Sequence, residues 1–414
     1  MDSANNKQPD QEQWKRNLRV LWFGTFLFGL AFSEIMPFLS LYIRDLGHYS
    51  KGMLSIYSGL AFGATYVVSA IVSPMWGTLA DRTGRKPMLL RASLGMGIII
   101  ALMGLVTNVW ELIGLRALEG LVSGFVSNAQ ALIATQVPAR QSGKALGTLQ
   151  TGTVGGMLFG PLIGGALAQF VGYRPVFFIT GFLILIVFFI VLFEVKEDFA
   201  PVKRQDMKST KEVIRTIKHP RLILAMFITT LIIQAGNYSI SPIISLYVSQ
   251  IMHHSSMVSF YAGIVAAAPG LATVLAASRL GDLGDHIGTE LILSLGFILA
   301  IIFYVPMAFV TNVWQLIFLR FCIGIANASM LPSVQAIITQ NIPHSVTGRI
   351  FSWNQSFQYI GTVLGSLLGS VVAAVFNYNM VFITTAILVV INFGWVWFNT
   401  GEQRRKHLKQ LKER

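Results

Sequence analysis

Long apolar runs separated by short polar interruptions dominate the chain. Runs near 18–43, 53–75, 88–107, 110–135, 144–169, 173–194, 221–248, 257–279, 290–310, 313–338, 347–375 and 378–399 each reach or exceed roughly the 20 residues needed to cross about 30 Å of hydrocarbon as a helix. Period-two alternation, the mark of a barrel strand, is absent, and unpaired backbone groups are prohibitive in lipid, so these runs are predicted to be helices. The expected fold class is an all-α membrane protein with twelve transmembrane helices.

The polar intervals divide the chain into a short N-terminal segment (1–17), a six-helix bundle (18–194), a linker (195–220), a second six-helix bundle (221–399) and a basic tail (400–414). The two bundles repeat one another. NVWELIGLRALEG (108–120) returns as NVWQLIFLRFCIG (312–324), with Arg116 opposite Arg320 and Gly120 opposite Gly324. One inserted residue later QALIATQVP (130–138) faces QAIITQNIP (335–343), and MPFLSLY (36–42) faces SPIISLY (241–247). Duplicated six-helix halves around a midplane site are an architecture on which alternating access is built.

Composition agrees: 54% of the 414 residues are hydrophobic and 12% charged, far too apolar for a soluble domain. The first run continues too long, without an A-x-A-like exit, for a cleaved signal peptide, so it is expected to stay as an anchor. The single cysteine, Cys322, rules out an intrachain disulfide and suggests no thiolate metal cluster. Charge supplies orientation. Arg44, Lys51 and Arg174 fall in loops on one side, Arg116 and Arg320 fall within spans, and the other Lys and Arg gather on the opposite side with both termini. That bias predicts cytoplasmic termini in a multi-pass cell-membrane protein, as in a bacterial plasma membrane. The net charge of +13 then reflects topology and contact with anionic lipid, with no nucleic-acid role.

Between the second and third spans the chain reads GTLADRTGRKPM, with an echo, DLGDHIGTE, between the eighth and ninth. Gly77, Asp81, Arg82, Gly84, Arg85 and Lys86, with Asp285 in the echo, are similar to the G-x-L-a-D-R-x-G-R-K signature of the major facilitator superfamily, whose two six-helix bundles match the span count. The glycines permit a tight turn, and Asp81 is expected to latch the halves on the inside against a helix N-terminus or an Arg. Arg82 and Lys86 read equally well as positive-inside anchors. In the fifth span Gly147, Gly156, Gly160, Pro161, Gly164 and Gly165 resemble the motif of drug/proton antiporters; the second half has Ser366 where Pro161 stands. Stretches such as WKRNLRVLW, YRPVFFIT and GRIFSWNQSFQYIG resemble the MdtG-type group of bacterial multidrug exporters. That resemblance implies efflux by antiport and makes fosfomycin and deoxycholate candidate compounds.

Ionisable residues inside spans are costly and usually functional. Glu34, Arg116, Glu119 and Arg320 are the ones read here. LIGLRALEG is similar to the fourth-helix motif to which the superfamily assigns proton coupling through its arginine. Glu119 lies one turn from Arg116 on the same helix face, whereas Arg320 reads as a residue snorkelling outward. Counted from their helix ends, Glu34 and Glu119 reach similar depth and are expected to meet. Glu119 beside Arg116 is expected to stay ionised, which leaves Glu34 as the expected proton exchanger unless it too reaches Arg116, with Arg116 and Glu119 setting its affinity.

In this fold the first, fourth, seventh and tenth helices line the cavity, which makes Phe32, Asn128, Gln234, Asn237, Tyr238 and Asn327 candidates for substrate binding, joined by Met157, Tyr261, Trp353, Asn354, Phe357 and Gln358 from neighbouring helices. Met and aromatic side chains adapt to varied apolar ligands, although each residue alone reads equally as packing or interface belt. Two function classes stand: proton-driven export of drugs or amphiphiles by a monomer without cofactor or metal, and movement of a metabolite or lipid by the same fold. An enzyme has no support, because the chain shows no phosphate loop, metal-ligand cluster or nucleophile–base pair.

Overall fold

The computed structural model describes residues 11–198, 216–217, 219–253, 255–343 and 346–401. Helices α1 (Gln11–Glu34), α2 (Leu39–Asp45), α3 (Lys51–Thr83), α4 (Arg85–Met103), α5 (Val109–Val122), α6 (Phe125–Gln136), α7 (Ala139–Val171) and α8 (Tyr173–Glu194) build the first half. The second contains α9 (Pro220–Ile240), α10 (Ile244–Ile251), α11 (Val258–Ile287), α12 (Thr289–Met307), α13 (Val313–Gln340), α14 (Thr347–Val375) and α15 (Tyr378–Asn399). Among the described residues ten helical segments are long and apolar enough to cross a membrane, and the pair α1 and α2, bent by 51°, makes an eleventh. The predicted fourth span is divided into α5 and α6, of 14 and 12 residues, each too short to cross alone. The protein is thus multi-pass and all-helical where described, with the twelve predicted spans in place.

Three of those spans are not the single helices that the hydrophobic pattern suggests. The first is interrupted around Pro37 and the seventh around Pro242, where proline lacks the N–H that would continue the helical ladder. The fourth stops at Ser123 and restarts after Gly124, whose φ of 112° is left-handed. Its counterpart α13 runs unbroken.

The duplication extends to individual hydrogen bonds. Tyr42 donates to Met103 O at 2.9 Å, and Tyr247 donates to Met307 O at the same distance. Ser69 donates to Gly120 O (3.2 Å) and Thr273 to Gly324 O (2.9 Å). Arg116 Nε donates to Ala61 O (3.2 Å) and Arg320 Nε to Val265 O (3.5 Å). One asymmetry stands out: where the first half carries Glu119, the second carries Ile323.

The halves meet along two helix pairs, α3 with α14 and α7 with α11. We call the side of both helical termini the basic face, and the other the far face. Toward the far face small residues touch: Gly59 and Gly63 lie against Ser370 and Ser366, and Gly165 against Gly263. Eighteen residues make five turns, so Gly77, Gly147 and Gly281 lie on the same helix sides as Gly59, Gly165 and Gly263, about 27 Å nearer the basic face. There nothing stands within 4 Å of a side chain built on any of the three. Both pairs therefore splay, and the halves enclose a cleft open to the basic face.

Candidate functional site

Closure of the far face is made by polar contacts. Ser40 donates to Pro242 O at 2.6 Å, linking the two interrupted spans, while Lys51 lies over the Tyr378 ring (4.4 Å to its centroid) and 3.5 Å from Gln250 Oε1. Arg44 reaches Ser249 at 3.4 Å.

Below this closure lies an aromatic group drawn from both halves. The Tyr66 hydroxyl is 3.5 Å from that of Tyr238, their rings meet edge-on at 5.6 Å, and Phe32 and Tyr359 approach the Tyr66 ring at 6.4 and 6.5 Å. Phe32 and Tyr238 are the predicted members. Tyr66 and Tyr359 lie on helices outside the four from which candidates were mainly drawn.

The other predicted substrate residues are dispersed. Asn237 accepts from Tyr304 (3.3 Å), Asn128 donates to Gly124 O (2.7 Å), and Gln234 packs against Gly361. Phe357 meets Phe227 of its own half with rings tilted by 33° at 5.2 Å, Trp353 packs on the core, Gln358 is half-buried, and Met157 is 52% exposed. Asn327 and Asn354 each carry a buried Oδ1 without a hydrogen-bond partner among the described residues. Tyr261 meets the exposed Trp314 edge-on at 5.8 Å, just as Tyr57 meets Trp110 at 5.5 Å in the first half. Both pairs sit at the far-face ends of their helices, where amphipathic rings suit a lipid–water boundary.

Two buried carboxyl sites flank the first half's core. Arg116 Nη1 lies 2.5 Å from Glu119 Oε2, and Glu119 Oε1 has no hydrogen-bond partner among the described residues. Helix α3 cradles the pair through Ala61 O and through Thr65, which donates to Arg116 O at 2.9 Å. Glu34 ends α1, 1% exposed, with Oε1 against the hydroxyl of Thr180 on α8. The expectation that Glu34 and Glu119 meet is not realised: Glu34 faces α7 and α8, Glu119 faces α3, and no hydrogen bond joins them among the described residues. Equal depth did not place them on facing helix sides.

The glycine motif explains where Glu34 sits. A Cβ on Gly156 would strike Phe26 O, one on Gly160 would strike Ser33 Oγ, and one on Gly164 would strike Glu34 O, so α7 lies backbone to backbone along α1. Gly165 and Pro161 turn to the other side, against Gly263 of the second half. One helix thus touches the buried carboxyl with one face and the opposing half with another. Gly147 faces open space and joins neither contact.

The GTLADRTGRKPM turn holds its own half together in this arrangement. Gly84, at φ 96°, makes the tight turn, and Gly288, at φ 104°, makes its echo. Asp81 pairs with Arg85 at 2.5 Å, Lys86 Nζ reaches Leu192 O at the end of α8 (2.9 Å), and Glu197 accepts from the backbone N–H of Arg85 and Lys86 (2.8 and 2.7 Å). Arg82 is exposed. Asp81 is thus held by a nearby Arg of its own half, and among the described residues no hydrogen bond or ion pair joins it to the second half. The side chain of Asp285 lies outside the described residues.

The sequence model of the Major Facilitator Superfamily matches residues 21–280 and 226–414. Proteins named Multidrug resistance protein MdtG from Salmonella arizonae and Salmonella typhimurium are 49% identical over 392 residues, covering 95% of this chain and 97% of each relative. Among solved structures, a bacterial homolog of the human lysosomal transporter Spinster, inward-facing and unoccupied, superposes with TM-score 0.76 at 15% identity over 97% of this chain and 98% of that one. The nucleoside transporter NupG superposes with TM-score 0.75 at 10% identity, covering 94% and 99%.

Proposed function

The chain belongs to the Major Facilitator Superfamily, and from that membership we propose that it exports drugs or other amphiphilic molecules in exchange for protons, its halves giving the central cleft access to each side in turn. The positive-inside bias assigns the basic face to the cytoplasm, which makes the described arrangement inward-open. The name of the relatives, Multidrug resistance protein, supports drug export. The contact of Glu34 with Thr180 carries the proposal for protons.

The Thr180 hydroxyl has one hydrogen and also lies 2.9 Å from Val176 O, its ordinary helical acceptor. With that hydrogen on Val176 O, the close contact to Glu34 is satisfied only when Glu34 carries a proton and donates it. An ionised Glu34 must turn the Thr180 hydrogen toward itself and leave Val176 O. Protonation thus exchanges one buried hydrogen-bond pattern for another, next to the glycine row through which α7 reaches the second half. Arg116 and Glu119 neutralise one another on α5, against α3, and tune the cleft's field, and the aromatic group with its adaptable neighbours receives the amphiphile.

Everted vesicles acidified inside supply the test, with an amphiphilic dye and the Glu34→Gln and Glu119→Gln variants. Gradient-driven uptake that an uncoupler abolishes, and that Glu34→Gln reduces to the uncoupled level, is the expected result. Parental rates in both variants would place coupling elsewhere, and absence of any gradient dependence would favour a facilitator of the same fold.

A further inference from the structure

The break in the fourth span is explained by the repeat. Arg116 and Arg320 are 204 residues apart, but the QAL and QAI segments that follow are 205 apart, so the first half is one residue short between Gly120 and Gln130. Losing one residue from a continuous helix rotates everything after it by about 100°. The non-helical link at Ser123–Gly124 absorbs that mismatch. An open turn within a span leaves carbonyls that lipid cannot satisfy.

Here they are satisfied by side chains from the two preceding spans. Trp76 Nε1 donates to Leu121 O at 2.8 Å, and Arg91 Nη2 donates to Ser123 O at 2.5 Å. Ser69 donates to Gly120 O and lies 3.0 Å from Ser123 Oγ. The Arg91 guanidinium sits 3.9 Å from the centroid of the Trp76 ring, and its Nε and Nη1 are buried without hydrogen-bond partners among the described residues. Its charge is therefore balanced by the ring face and by the negative end of α5.

The second half is the internal control. At the equivalents of Trp76 and Arg91 stand Leu280 and Leu295, the equivalent of Gly124 is Ala328, and the helix is continuous. Leu280 and Ala328 there line a cavity of about 350 Å³. Only Thr273, the partner of Ser69, keeps its bond. Two donors thus occur in the half with the opened turn and are apolar in the half without it.

We propose that Trp76 and Arg91 are positioning residues that hold the end of α5, and with it the Arg116–Glu119 pair one turn away, in the register required for transport. The inference rests on the proposed coupling role of that pair, which Tyr66 of α3 also faces. Arg91 itself is the charged group that α4 presents to the break.

The test uses the full-length protein in nanodiscs and in everted vesicles. Arg91→Leu and Trp76→Leu install the second half's residues, Trp76→Phe keeps the ring and removes the donor, and Arg91→Lys restores a donor and charge. Deuterium exchange across residues 119–128 is expected to rise roughly tenfold or more in the two leucine variants, the scale of one lost buried hydrogen bond, while residues 324–333 stay unchanged. The pH at half-maximal gradient-driven uptake is expected to move with it, with partial recovery in Arg91→Lys. Unchanged exchange in Arg91→Leu and Trp76→Leu would overturn the clamp. Faster exchange with an unmoved pH profile, while Glu119→Gln moves it, would overturn the positioning role and leave the coupling proposal standing. An unmoved profile in Glu119→Gln itself would instead remove the coupling role of the Arg116–Glu119 pair and leave that of Glu34 untouched.

Discussion

Gly164 packs against the backbone of Glu34 so closely that a methyl group there would meet the Glu34 carbonyl oxygen. The contact is backbone against backbone, so no side-chain rotation can relieve it. Gly164→Ala or Gly160→Ala should force α7 away from α1, with an overpacking cost of about 1–3 kcal/mol. Gly147→Ala meets open space and, within a helix, should be neutral or stabilising by up to about 1 kcal/mol. Dye efflux and thermal stability of the three variants check the contrast. Equal effects at positions 147 and 164 would refute the packing argument.

Asp81 gives a second prediction. Its side chain is 42% exposed, and an exposed pair such as Asp81–Arg85 contributes no more than about 1 kcal/mol. Asp81→Asn should therefore insert and fold normally. A strong loss of transport in that variant identifies a contact made in another state, when the basic face closes and the second half returns to the turn. Spin-label distances between the basic-face ends of α3 and α14 should then shift toward the open arrangement. Parental activity at matched expression would show that the carboxylate serves only its turn.

Orientation is testable at Ser255, which is exposed beyond α10 on the far face. In a Cys322→Ser background, Ser255→Cys should react with a membrane-impermeant maleimide in intact cells. Cys322 is buried and contributes little background. Reaction only in everted vesicles would invert the assignment of both faces.

Much of this was legible in the chain because the signals were local or periodic. Arg116 and Glu119 lie three residues apart on a helix, so their pairing follows from helical geometry alone. Gly156, Gly160 and Gly164 repeat at a helix-packing interval and do pack against one helix. Thr180 could not be found as the partner of Glu34, because 146 residues separate them and a threonine within a span carries no signal of its own. Tyr66 and Tyr359 join the cleft because their helices cross between halves, which is a tertiary fact. The pairing of Tyr261 with Trp314 is legible in the repeat, since Trp314 lies at the same distance along the chain from it as Trp110 from Tyr57. The break at Ser123–Gly124 also left a trace, in the change of repeat offset from 204 to 205.

The small residues that join the halves have a mechanical consequence. At Gly165 and Gly263 the two helices bear on each other through main chain, and at Gly59 and Gly63 the first half offers no side chain to the serines opposite. A bearing made in this way has almost no rotamers to unlock, so rolling one half over the other sheds little side-chain order and regains little on return. Its friction is low in both directions. The energy that decides which way the protein faces is then left to the groups at the two ends and to whatever occupies the space between them.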